Sequence, residues 1–146
     1  MFKHILVPID GSPTSLLAVD KAAGMAKAFG SKVTALYIID PYPFTGVGAD
    51  FALGQDQYLE ASKAEATAAM EAAQARLTSA GVTAETSVTE AHAVWRGILD
   101  TAERVGADLL VMGSHGRRGL EKLVLGSVTQ SVVSRTKITT LVVHDA

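Results

Sequence analysis

The sequence predicts an α/β fold built on a doubly wound, five-stranded parallel sheet, and three observations carry that expectation. Short runs of β-branched and apolar residues alternate with longer, Ala-rich stretches of helical periodicity. The runs Leu109-Leu110-Val111-Met112 and Leu141-Val142-Val143 are continuously apolar rather than alternating, as in strands covered by helices on both faces. A chain of 146 residues without an internal repeat or a linker is long enough to bury its own core, so residues 1–146 are expected to form one domain.

The first strand is expected over Lys3 to Ile9. Ser12-Pro13 then supplies an N-cap and a proline at the first helical position, opening a helix that runs to about Phe29 and stops at Gly30. The second strand spans Lys32 to Ile39. From Pro41 to Gln55, Pro-Tyr-Pro and three glycines read as a long irregular connection, mobile when the site is empty and partly ordered when it is filled. A second helix, about Asp56 to Ala80, places Leu59, Ala66, Met70, Ala73 and Leu77 in one apolar stripe and ends at Gly81. The third strand, Thr83 to Thr89, leads to a helix from about Ala93 to Val105 that presents Trp95, Ile98, Leu99 and Ala102. The fourth strand covers Ala107 to Met112, a last helix starts at Gly126-Ser127, and the fifth strand covers Ile138 to His144.

Right-handed crossovers and a strand order of 3-2-1-4-5 make this a flavodoxin- or Rossmann-like sheet, in which ligands bind at the carboxyl ends of the strands where the order reverses. Strands one and four are neighbours there. The loops Asp10-Gly11-Ser12-Pro13 and Gly113-Ser114-His115-Gly116 then face one crevice.

Composition removes several classes of function. There is no cysteine, which excludes disulfides, thiolate catalysis and thiolate metal sites. Net charge is −2, and Lys and Arg are scattered except for Arg117, Arg118 and Lys122, a cluster suited to one small anion and too narrow for nucleic acid. Apolar runs are far too short for membrane insertion, and Asp10 interrupts the opening run before a signal-peptide core is complete, so a cytoplasmic protein is expected. His4, His92 and His144 show no metal-ligand spacing, and no P-loop, GxGxxG or GxSxG pattern is present. No catalytic residue and no metal ligand is assigned.

One constellation carries chemistry. Gly113-Ser114-His115-Gly116 is followed by nine residues and then by Gly126-Ser127-Val128-Thr129 at the start of a helix. Small residues let backbone amides approach a phosphate chain, and a helix N-terminus adds unpaired N–H groups and a favourable dipole. Ser127 and Thr129 add hydroxyls, while Arg117, Arg118 and Lys122 add positive charge. His115 reads as a polar loop residue beside the phosphates rather than as a general base. The plainer alternative is that the glycines only shape turns and Ser127 only caps a helix.

Gly, two residues, Gly, nine residues, Gly and Ser is similar to the ATP-binding motif of the universal stress protein family. Ile5-Leu6-Val7-Pro8-Ile9-Asp10-Gly11-Ser12 resembles that family's first strand and turn, and the likeness extends over essentially the whole chain. One departure is Thr139, in Ile138-Thr139-Thr140-Leu141, where the family usually has the proline that precedes its final strand. The resemblance implies that Pro8 and Asp10 sit near adenosine, with Asp10 accepting from ribose hydroxyls. It implies that Ile38 offers backbone groups to the adenine edge and that Met112 and Gly113 line base and ribose. Gly116, Arg117, Gly126, Ser127, Val128 and Thr129 would surround the phosphates, bridged by a divalent cation such as Mg or Mn. It further implies an ATP-binding regulatory or stress-response module, a homodimer through the final strand, with a protein partner such as a transporter or signalling protein. Two rival readings stand beside it: a slow ATPase or phosphotransferase using Asp10 or His115 with a divalent ion, and an interaction module with an inert pocket.

Overall fold

The computed structural model describes residues 1–41, 49–115 and 125–145. Five strands, β1 (His4–Ile9), β2 (Lys32–Ile39), β3 (Ala84–Glu90), β4 (Leu109–Gly113) and β5 (Thr139–Val143), alternate with four helices, α1 (Pro13–Phe29), α2 (Ala49–Ser79), α3 (Val94–Val105) and α4 (Ser127–Arg135). All pairings are parallel, in the order β3-β2-β1-β4-β5. Strand bounds fall within a residue or two of those expected.

One helix is longer than expected. Residues 49–55 extend α2 at its N-terminus rather than continuing the irregular connection, of which 42–48 lie outside the described residues. Gly54 was read as a loop signal, but the flanking Ala-Asp-Phe-Ala-Leu are compatible with helix, and a long helix tolerates one glycine.

Local chemistry sets the first crossover. Gly11 turns the chain after β1 with φ +83°, a conformation that costs a side chain-bearing residue energy. Ser12 then caps α1, its hydroxyl accepting from the Ser15 N–H at 3.1 Å, and Pro13 begins the helix.

The sheet is buried between two apolar layers. Ile5, Val7, Val33, Ala35 and Val111 pack with α1 and α2 residues such as Val19, Met70 and Leu77, while Leu6, Leu36, Leu110 and Met112 pack with Ile98 and Ala102 of α3 and Val132 of α4. The polar sequence of β3, Ala-Glu-Thr-Ser-Val-Thr-Glu, follows from its place at one edge, where much of it is exposed. The other edge, β5, exposes Leu141. Trp95 on α3 lies beneath the Arg135 guanidinium of α4, 4.5 Å from its ring centroid, which links those two helices.

The amino end of the sheet is closed by a buried histidine. His4 Nδ1 lies 3.1 Å from the Val105 carbonyl oxygen, which can only accept, so Nδ1 carries the proton and Nε2 accepts from the Thr34 hydroxyl at 2.7 Å. Burial, and next the charge of Lys32, lower its pKa below the ordinary 6.5, against opposing effects of the Val105 carbonyl, Glu85 and Asp108. The unfolded chain therefore binds the proton more readily. Stability that His4 contributes is present above about pH 6.5 and is lost as the pH falls below it. Urea midpoints should fall from pH 7 to pH 5.5, and more steeply in the parent than in His4→Gln; equal slopes would contradict this.

Candidate functional site

The carboxyl ends of β1, β2 and β4 open into a cavity of about 420 Å³, walled on its far side by α3 and closed at one end by the start of α4. Of the residues singled out in sequence, Pro8, Asp10, Ile38, Met112, Gly113, His115, Gly126, Ser127, Val128 and Thr129 line it. Gly116, Arg117, Arg118 and Lys122 lie outside the described residues. The sequence reading missed Ile9, Ser15, Leu36, Tyr37, Val94 and Ile98 as lining residues. Val94 and Ile98, one helical turn apart, had a detectable signal as a pair on one face, but core packing and cavity lining look alike in a pattern.

The cavity is chemically graded. Leu36, Ile38, Val94, Ile98 and Met112 make an apolar end suited to a flat ring. At the other end Gly126 precedes α4 with φ −62° and ψ 158° and offers no side-chain cap. The N–H groups of Ser127, Val128 and Thr129 thus have no intrahelical acceptor, because the first bond in the helix runs from Gln130 N–H to the Gly126 carbonyl, at 2.9 Å. Three such donors and the positive end of the helix dipole favour an anion there.

Individual side chains have more specific duties than the pattern disclosed. Asp10 Oδ1 accepts from the Ser12 N–H at 2.9 Å, so this carboxylate both shapes the turn after β1 and borders the cavity. The Thr129 hydroxyl donates to the Gly113 carbonyl at 2.7 Å, which spends its proton inside the protein and pins α4 to the end of β4. His115 Nε2 lies 3.2 Å from Asp145 Oδ1, joining the loop after β4 to the segment after β5. Among the described residues no cluster of three or more His, Asp or Glu is arranged to hold a metal.

Two glycines sit where packing is close, Gly113 the more so. A Cβ on Gly113 would lie 2.7 Å from Thr14 Cγ2, and one on Gly126 would lie 3.1 Å from His115 Cα. The plainer reading of the motif therefore accounts for part of it.

A family model described as "Universal stress protein family" matches residues 1–144. The chain belongs to the universal stress protein family. Universal stress protein MJ0531 of Methanocaldococcus jannaschii is 35% identical over 98% of this chain and 82% of its own. Universal stress protein A homolog 1 of Coxiella burnetii is 31% identical over 90% and 89%. Among solved structures, universal stress protein UspA from Lactobacillus plantarum superposes with a TM-score of 0.86 at 25% identity, covering 97% of each chain. A universal stress protein solved in complex with cAMP superposes with a TM-score of 0.69 at 28% identity, covering 98% of this chain and 97% of that one. Among the described residues no helix of this universal stress protein is long and apolar enough to cross a membrane.

Proposed function

We propose that this universal stress protein binds ATP in the cavity at the ends of β1, β2 and β4 and acts as a cytoplasmic, single-domain regulatory module, working as a homodimer with a protein partner such as a transporter or signalling protein. The observation that carries the reading is the gradient within one cavity, apolar at α3 and, at α4, rich in N–H donors that have no intrahelical acceptor. A nucleotide has the same gradient, from a flat base to an anionic phosphate chain. The cAMP complex of a relative supports a nucleotide as the ligand class. In this reading Ile38 and Met112 face the base, Pro8, Asp10 and Gly113 the ribose, and Gly126 to Thr129 the phosphates, with Gly116 and Arg117 completing the phosphate loop. A divalent cation such as Mg or Mn is held by the phosphates themselves, since such ions accept substrate oxygens and water as ligands.

The test is the nucleotide that accompanies the purified protein, identified by mass, followed by titration with ATP. ATP in the purified protein, and a loss of affinity in Ser127→Ala of about 0.5–1.5 kcal/mol or somewhat more, are expected. An empty protein with no measurable ATP affinity would overturn the reading.

One observation favours a second reading, slow ATP hydrolysis. The Asp145 carboxylate beside His115 orients an imidazole at the cavity, an arrangement able to take a proton from water. Steady phosphate release that disappears in His115→Ala would support it; release unchanged in that variant would remove it.

A further inference from the structure

Gly97 occupies the middle of the first turns of α3, where glycine weakens a helix relative to alanine, so its presence points to a close approach. The neighbours confirm one. A Cβ built on Gly97 would lie 2.9 Å from Ala91 Cβ, just beyond β3, and 2.9 Å from Ile38 Cδ1 on β2. Both distances are shorter than side-chain carbons tolerate. Ala91 has no rotatable group to move, whereas Ile38 ends in a methyl that can swing, and Ile38 also lines the cavity.

The geometry points to Gly97 as a specificity-determining residue: by leaving room for Ile38 Cδ1 outside the apolar end of the cavity, it keeps that end wide enough for a purine. The inference rests on the nucleotide reading above and goes beyond it, because it assigns the width of the base site to a residue that does not line the cavity. Any side chain at this position drives the Ile38 methyl away from α3. Ile38 lines the cavity, so a methyl displaced into it takes up width otherwise available to a base. Val94 and Ile98, on either side of Gly97 in α3, line the same cavity. A two-ring base needs the full width. A one-ring pyrimidine needs less of it.

Titration with ATP and with CTP, on the parent, Gly97→Ala, Gly97→Ala/Ala91→Gly and Gly97→Ala/Ala91→Gly/Ile38→Val, tests this. In Gly97→Ala, ATP affinity should fall by about tenfold or more, the scale of one misplaced methyl group in an apolar pocket, while CTP affinity changes less. With the Ala91 contact already relieved by Ala91→Gly, removing Cδ1 with Ile38→Val should return most of the ATP affinity, because both 2.9 Å contacts are then gone and Ile38 Cγ1 lies at an ordinary 3.5 Å from the new Cβ. A helix merely disturbed by alanine would lower both affinities alike and would not be rescued at Ile38. Equal ATP binding by Gly97→Ala and the parent, equal losses for ATP and CTP, or no rescue would each overturn the assignment. A parent that binds neither nucleotide would instead overturn the nucleotide reading on which it stands.

Discussion

Gly113→Val is expected to destabilise the protein by about 3 kcal/mol and to remove nucleotide binding with it. The last residue of β4 passes directly over the first turn of α1. There a Cβ would meet Thr14 Cγ2 at 2.7 Å and the Thr14 carbonyl carbon at 3.3 Å. Thr14 is itself buried and follows Pro13 at the start of a capped helix, so α1 has little freedom to withdraw. Valine adds two further methyl groups to that contact. Gly113→Ala should cost less, about 1–3 kcal/mol. In Gly113→Ala/Thr14→Ser the shorter contact disappears, so the double variant should be more stable than the two single losses added together. Urea unfolding read by circular dichroism measures all five proteins, the single variant Thr14→Ser included. A midpoint for Gly113→Val equal to the parent's would show that β4 and α1 are less closely packed than described.

In the homodimer proposed above, Val142→Pro should separate the protomers without unfolding them. The Ser114 N–H donates to the Val143 carbonyl at 2.8 Å, so the backbone groups of Val143 face β4. Direction alternates along a strand, which turns the N–H and C=O of Val142 outward, toward the open edge of the sheet. Edge groups turned outward beside exposed Leu141 are an association hazard that a second copy removes by pairing antiparallel about a two-fold axis. Proline at Val142 deletes one donor from each protomer and places a ring in the pairing plane. Two buried acceptors without donors cost about 2–6 kcal/mol together, a rise in Kd of roughly thirty-fold or more. Leu141→Asp gives an independent test by bringing like charges together near the axis. Val143 does not serve that purpose, because its side chain is buried in the core and a charge there would unfold the chain. Light scattering at micromolar concentration should report monomers for both variants. Dimers in both would place the interface elsewhere.

The parts of this fold that were legible in the sequence are those whose causes are local. Ser12-Pro13 and Gly30 act within a turn of the residues they cap, and the stripe of Ala66, Met70, Ala73 and Leu77 follows from helical spacing alone. Apolar β4 between two neighbours and polar β3 at an edge also match their positions in the order β3-β2-β1-β4-β5. Features that depend on distant partners were not legible. Gly113 reads as a loop glycine until Thr14 is seen against it. His4 reads as an isolated histidine until Thr34 and Val105 are brought to its two nitrogens. Ile98 reads as one of the apolar residues that α3 presents, because the pattern of a helix records which residues turn inward and not whether the space they meet is filled.

Trp95 gives the molecule an optical signal of its own. It is the single tryptophan of the chain, and the guanidinium stacked on it belongs to the helix whose first turn closes one end of the cavity. Its emission is therefore a gauge of the seam between α3 and α4 and is blind to the α1–α2 layer on the opposite face of the sheet. Circular dichroism averages over both layers. Denaturation curves from the two signals superimpose only when the two faces come apart together, so comparing them measures whether the protein melts as one cooperative unit.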